Sequence, residues 1–114
     1  MSLNNNLTDS ITDTTSGLLV TKTLSLSNVG SGFKVKEGTN AKMGQATLVA
    51  GTVTVSTTAV GANSRIFLTI AKLGTVAAPK AIAVTTTTAG TSFVITSADS
   101  TDTSSINWII FDPS

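Results

Sequence analysis

Apolar and polar residues alternate along much of the chain with a period of two, the period of a strand that buries one face. Leu18-Leu19-Val20-Thr21-Lys22-Thr23-Leu24-Ser25-Leu26 predicts a first strand, and Asn28-Val29-Gly30-Ser31-Gly32 a turn after it. Phe33-Lys34-Val35-Lys36 predicts a short half-exposed strand, whose two lysines on one face would guard an edge against unwanted pairing. From Ala46 to Ser56 the pattern predicts one long strand. Gly51 in its middle marks a bulge or a close backbone approach.

Arg65-Ile66-Phe67-Leu68-Thr69-Ile70-Ala71 predicts a strand buried largely on both faces. Ala81 to Val84, Ser92 to Thr96 and Ile106 to Phe111 predict three more, and Pro113 stops the last. The intervening segments, including a Thr-rich stretch from Thr85 to Gly90, are expected as connections. Trp108 and the four Phe are expected in the core.

Six to eight short strands separated by turn signals, with no useful amphipathic helix pattern, predict an all-β fold. The expected architecture is an antiparallel β-sandwich, jelly-roll-like or another Greek key, without substantial helix. Residues 1–17 are polar with isolated Leu3, Leu7 and Ile11, and are expected to form an extended arm ahead of a sandwich spanning 18–114.

Composition sharpens this picture. The 114 residues include 22 Thr and 14 Ser, whereas charged residues make up only 11%. Thr favours a pleated, half-buried surface, and so few charges make assembly cheap in desolvation. Net charge is +1, and the seven basic residues are scattered. Nucleic-acid binding needs clustered cations, so none is expected. There is no Cys and no long apolar run, so thiolate metal sites are excluded and no membrane span is expected. The amino terminus lacks the basic and apolar regions of a signal peptide. Synthesis in a cytoplasm is therefore expected, and the Asn6-Leu7-Thr8 sequon is not expected to be used.

Catalysis has little to work with. The chain has no His and no Cys to activate a hydroxyl or carry a proton at neutral pH, and no Lys has a distinctive context. No catalytic residue, cofactor or metal is expected. Asp99 and Asp102, in Ala98-Asp99-Ser100-Thr101-Asp102-Thr103, are expected to cap turns through neighbouring backbone. Arg65 opens an apolar strand, where it would pair with Asp99, Asp102 or Glu37, or lie at a subunit boundary.

Five blocks carry a resemblance. They are Glu37-Gly38-Thr39-Asn40-Ala41-Lys42-Met43-Gly44, running into Ala46-Thr47-Leu48-Val49-Ala50-Gly51-Thr52-Val53; Ala62-Asn63-Ser64-Arg65-Ile66-Phe67-Leu68-Thr69; Ala89-Gly90-Thr91-Ser92-Phe93-Val94-Ile95-Thr96-Ser97; and Thr101-Asp102-Thr103-Ser104-Ser105 leading to Trp108-Ile109-Ile110. In this order they resemble a β-domain that recurs in virion proteins of tailed bacteriophages, commonly at the carboxy-terminal end of fibre-like or capsid-associated proteins. The resemblance covers Glu37 to Pro113. It implies a structural role, a homotrimer, and no catalytic residues.

Because the domain is nearly the whole chain, the expected function is that of an accessory virion protein: a capsid decoration, cement or head-fibre protein on the outer shell. Leu3, Leu7, Ile11, Leu18 and Leu19 would then grip the major capsid protein or another virion protein, with Arg65 at the subunit interface. The chain would be made in the host bacterial cytoplasm and end in the virion. The alternative is a tail-fibre tip or adhesin that recognises a host-surface receptor or glycan through residues 57–64, 74–80 and 97–105. The shortage of aromatics in those loops counts against it. A scaffolding protein of prophage origin is a third option.

Overall fold

Six strands take up the alternation, in the order β1 (Met43–Thr47), β2 (Thr52–Ser56), β3 (Arg65–Lys72), β4 (Ile82–Thr88), β5 (Ser92–Ser97) and β6 (Ser105–Phe111). The computed structural model describes residues 20–114. Contacts divide the chain into two units, Met1–Phe33 and Lys34–Ser114, and all six strands belong to the second. Among the described residues there is no helix.

The strands form two antiparallel sheets of three, ordered β1-β6-β3 and β2-β5-β4. Only β4 and β5 form a hairpin within one sheet; the other four connections cross between sheets. Each crossing ties the layers together. The result is the expected all-β sandwich.

Its core follows from the period of two. β6 turns Ile106, Trp108 and Ile110 inward, and β5 turns Phe93 and Ile95 inward from the other sheet. Leu48, Val55 and Val60 complete the buried cluster, with Ile66, Leu68, Ile70, Val53, Ile82 and Val84 packed around it. The Phe93 and Trp108 rings meet edge to face, centroids 5.3 Å apart. Burying each such side chain contributes about 1.5–3 kcal/mol.

The expected long strand from Ala46 to Ser56 is instead two strands in different sheets. Val49 and Thr52 bond to each other across a tight corner in which Ala50 (φ 50°) and Gly51 (φ 79°) are both left-handed, the pattern of a type I′ turn. The close approach at Gly51 is real. A Cβ placed there would lie 2.5 Å from the Asp99 carbonyl oxygen. The Gly51 N–H donates to the Asp102 carbonyl, and its own carbonyl accepts from the Ser97 N–H.

Other expectations shift for identifiable reasons. Residues 20–26 and 33–36 form no strand and are exposed, since an alternating segment becomes a strand only when a neighbouring strand takes up its backbone hydrogen bonds. The Thr-rich stretch extends β4 as far as Thr88, consistent with the strand preference of Thr. β3 is not buried on both faces: it is an edge strand whose residues alternate between exposed and half-buried. Phe67, Phe111 and Phe33 are exposed, so only Phe93 among the four Phe joins the core with Trp108.

Asp99 and Asp102 cap turns as expected. Asp102 is fully buried, and its carboxylate accepts from the Ser97 hydroxyl (2.7 Å), the Ser104 hydroxyl (2.6 Å) and the Ser104 N–H (2.9 Å). Those donors, the Ser104 hydroxyl foremost, hold its pKa below the ordinary value of 3.8 despite burial. Because the folded value is depressed, the stabilisation is complete above the unfolded value and is lost as pH falls through the folded one. Asp102→Asn should therefore lower the urea midpoint at pH 7, and the gap to wild type should narrow on acidification below pH 4. Urea melts at pH 7 and pH 3 check this; a gap independent of pH would contradict it.

Candidate functional site

The loops once expected to recognise a receptor do not converge. Residues 74–80 and 97–105 meet at one end of the sandwich, where Thr75 donates its hydroxyl to the Thr101 carbonyl and Gly74 donates its N–H to Ser104. Residues 57–64 lie at the other end, because Thr57 follows the strand β2 that begins after Gly51. There the Gly90 N–H donates to the Val60 carbonyl. Neither end carries an aromatic ring among these loop residues.

The exposed aromatics lie on a strand face. Outward positions of β1-β6-β3 form successive rows fixed by the register. Phe111 stands opposite Arg65. Next come Met43, Ile109 and Phe67 across all three strands, then Gln45, Asn107 and Thr69, then Thr47, Ser105 and Lys72. Along the strands the face therefore grades from aromatic through aliphatic and amide to hydroxyl over about 20 Å, given the rise of a strand, with a cation of β3 at each end, Arg65 and Lys72.

Local contacts order this face. The Phe67 and Phe111 rings pack edge to face with centroids 5.3 Å apart. Gln45 Nε2 donates to Asn107 Oδ1 at 2.9 Å, and the hydroxyls of Thr47 and Ser105 are 3.3 Å apart. At the Phe111 end, Asp112 binds Lys42 Nζ and accepts from the Ser64 hydroxyl, anchoring the chain after β6. These partners, Lys42 first, hold the Asp112 carboxyl below its ordinary range.

A depression of about 370 Å³ occupies the middle of the face, lined by Met43, Phe67, Thr69, Asn107, Ile109 and, from the segment ahead of β1, Glu37. A second of similar volume adjoins it at the β1 edge, where Glu37, Met43 and Gln45 again contribute. Gly44 shapes this border. A Cβ there would lie 2.7 Å from Trp108 Cζ2, so only the bare backbone fits over the indole.

Such a face can stack a flat apolar ring against Phe67 and bond polar substituents through two amides, a hydroxyl and a carboxylate. The opposite sheet presents a different surface, dominated outward by Thr52, Thr54, Ser56, Ser92, Thr96, Thr86 and Thr88. It carries no aromatic ring.

Arg65 is exposed at the Phe111 corner of the aromatic face. Among the described residues the ion pairs are Lys42–Asp112 and Lys80–Asp99, so none of its expected carboxylate partners pairs with it. Leu3, Leu7, Ile11, Leu18 and Leu19 lie outside the described residues. No group of His, Cys, Asp and Glu suited to a metal ion occurs among the described residues, and no helix there is long and apolar enough to cross a membrane. Sequence reasoning missed this face because it sought aromatics in loops. The signal was present in the equal parity of Phe67 and Thr69, and of Asn107, Ile109 and Phe111.

Residues 40–111, well over half of the chain, match the family of the K1 capsule-specific polysaccharide lyase C-terminal domain. The chain belongs to this family. No curated protein and no solved structure matches it. The K1-lyase C-terminal domain is associated with phage tail spikes, which makes this chain a phage virion-protein domain and its expected location a virion component. The family supports a tail-spike or tail-fibre setting and gives no support to capsid decoration or a head fibre.

Proposed function

We propose that this chain is a recognition domain of a tail-spike- or tail-fibre-like phage protein, and that it binds a host-surface glycan on the outer face of β1-β6-β3. The observation that carries this reading is the exposed Phe67 ring beside a depression that also gathers Thr69, Asn107 and Glu37. Sugars present apolar C–H faces and polar hydroxyls together, and this face offers a matching surface for both. The family contributes the setting: the matched domain is part of a polysaccharide lyase.

The two exposed rings offer a platform on the scale of a sugar ring. Phe67 and Phe111 are 59% and 53% exposed. At about 150–250 Å² per aromatic side chain, the two rings offer on the order of 200 Å² of apolar surface.

The proposed role is binding rather than cleavage. The chain contains no His or Cys. Asp99, Asp102 and Asp112 are all drawn below the ordinary carboxylate value, chiefly by Thr101, Ser104 and Lys42 respectively, so they stay ionised and make poor proton donors at neutral pH. A homotrimer is the assembly that the phage resemblance implies, and the low charge of the chain supports it; Arg65, exposed at the start of β3, is the candidate for its subunit boundary.

Binding of the chain to immobilised bacterial surface polysaccharides tests the reading. Phe67→Ala should weaken retention at least about tenfold, as truncation of a central aromatic anchor does. Its far-UV circular dichroism should stay unchanged, because Phe67 lies outside the core. Undiminished binding by a folded Phe67→Ala variant would overturn the assignment of the face.

A further inference from the structure

We infer that residues 23–27 of one copy of this chain add as a strand to the free edge of β1 in a second copy. This interaction does not depend on the glycan reading. It joins a strand pattern that has no edge to an edge that has no strand. Thr23-Leu24-Ser25-Leu26-Ser27 alternates hydroxyl and leucine and carries no charge, and a turn closed by the Ser31 N–H on the Asn28 carbonyl follows it. The segment forms no ladder, and Leu24 and Leu26 stand 49% and 43% exposed.

Backbone bonds fix which groups β1 leaves open. The Ile110 N–H donates to the Lys42 carbonyl and the Leu48 N–H to the Ser104 carbonyl, and antiparallel bonding pairs recur at every second residue. Gly44 and Ala46 therefore bond to β6, while the N–H and C=O groups of Met43, Gln45 and Thr47 point off the edge of the sheet. The second depression runs against Met43, Gly44 and Gln45, so within its unit this edge faces open space.

The other edges are less receptive. β3 and β4 each carry a bulge, and β3 also carries Arg65 and Lys72, features that discourage pairing. β2 has neither, but Thr52 is already bonded to Val49 in the corner, which shortens its run of free groups. β1 has no charge, no bulge and no Pro.

The faces of the two elements match. β1 turns the small residues Gly44 and Ala46 inward, and Ala46 is only partly buried against the core. An added strand with Leu24 and Leu26 on that face would extend the apolar layer past them. Thr23, Ser25 and Ser27 would then join the outward face. The new bonds are to backbone at the edge, so the outward side chains of β1 keep their places.

A second copy is the occupant because every copy brings one such segment and one such edge. Passing the segment to the next copy is a heterologous contact, which closes into a ring of copies that uses each edge once. Both elements are uncharged, so they meet without desolvating an ion. An unrelated partner would leave one of the two unmatched in every copy.

Amide hydrogen exchange of the full chain across a concentration series, beside sedimentation analysis, tests this. Wild type should form a closed oligomer in which the Met43, Gln45 and Thr47 amides exchange at least about tenfold more slowly than in the dissociated chain. Gly44 and Ala46, bonded to β6, should exchange slowly in both states. Leu24→Lys with Leu26→Lys should abolish the oligomer and the slowing together. Its far-UV circular dichroism should stay unchanged, because both residues lie outside the six strands. Thr47→Pro attacks the same contact from the edge, removing an N–H that β6 does not use, and should weaken association likewise. Slow exchange of the three amides in a chain that sediments as a monomer would place the covering strand in the same chain and overturn the inference. So would an oligomer in which they exchange freely, an oligomer that survives the paired leucine substitutions, or a wild type that stays monomeric throughout.

Discussion

Trp108→Ala is expected to cost about 3–5 kcal/mol, enough to leave the domain at the edge of unfolding. The indole is 7% exposed, lies on the central strand of its sheet, and meets Phe93 of the opposite sheet edge to face. Its removal would open a cavity between the layers and take away that aromatic contact, which itself contributes about 0.5–1.5 kcal/mol. A domain this small starts with little in reserve. At about 4–8 °C per kcal/mol, thermal unfolding followed by circular dichroism should shift by well over 10 °C. A coupling measurement makes the result specific. Gly44→Ala should destabilise wild type, because its Cβ meets the indole at 2.7 Å, yet cost little in the Trp108→Ala background. Equal effects of Gly44→Ala in both backgrounds would contradict the packing described.

Gly51→Ala is expected to be almost as damaging, through the backbone rather than the core. Two costs fall on one position. A left-handed conformation costs an L-residue about 1–2 kcal/mol, and the new Cβ would stand 2.5 Å from the Asp99 carbonyl oxygen and 2.9 Å from Ser100 Cα. Both obstacles are backbone, so relief requires the loop after β5 to move, at a cost of about 1–3 kcal/mol. Movement there also strains the bonds linking Gly51 to Ser97 and Asp102. The neighbouring Ala50→Gly provides the control. Ala50 already has φ 50°, so glycine should relieve strain and leave the urea midpoint unchanged or higher. A Gly51→Ala variant as stable as wild type would refute the corner geometry.

The strand alternation in β2, β5 and β6 was plain in the sequence, because each has one buried face and the period of two survives intact. Gly51 announced its close approach but not its partner, since Asp99 and Ser100 lie far along the chain. The switch of sheets at Ala50 and Gly51 was hidden for a related reason. Ala46 to Ser56 consists of residues that suit either one strand or two, and the choice depends on long-range bonds to Ser97, Asp102 and Ser104.

The candidate site was the least legible part. Each of its residues was visible, yet Phe67 and Phe111 looked like core because strand aromatics usually are. What exposes them is parity: Phe67 and Phe111 alternate with the inward residues Ile66, Leu68 and Ile110, and so stand on the outer face of their sheet. Gln45 and Asn107 are 62 residues apart, and only the antiparallel register of β1 and β6 joins them. Arg65 was singled out correctly as the start of its strand, but two of the carboxylates expected to pair with it are engaged elsewhere, Asp99 by Lys80 and Asp102 by serine hydroxyls.

Titration of the ¹⁵N-labelled chain with a bacterial surface glycan that retains it when immobilised tests most directly whether this sandwich recognises its ligand on a strand face. The account predicts chemical-shift changes concentrated at Glu37, Met43, Gln45, Phe67, Thr69, Asn107 and Ile109, with the Asn107 and Gln45 side-chain amides among the largest. Changes confined to residues 74–80 and 97–105, or to the hydroxyl face of β2-β5-β4, would contradict it.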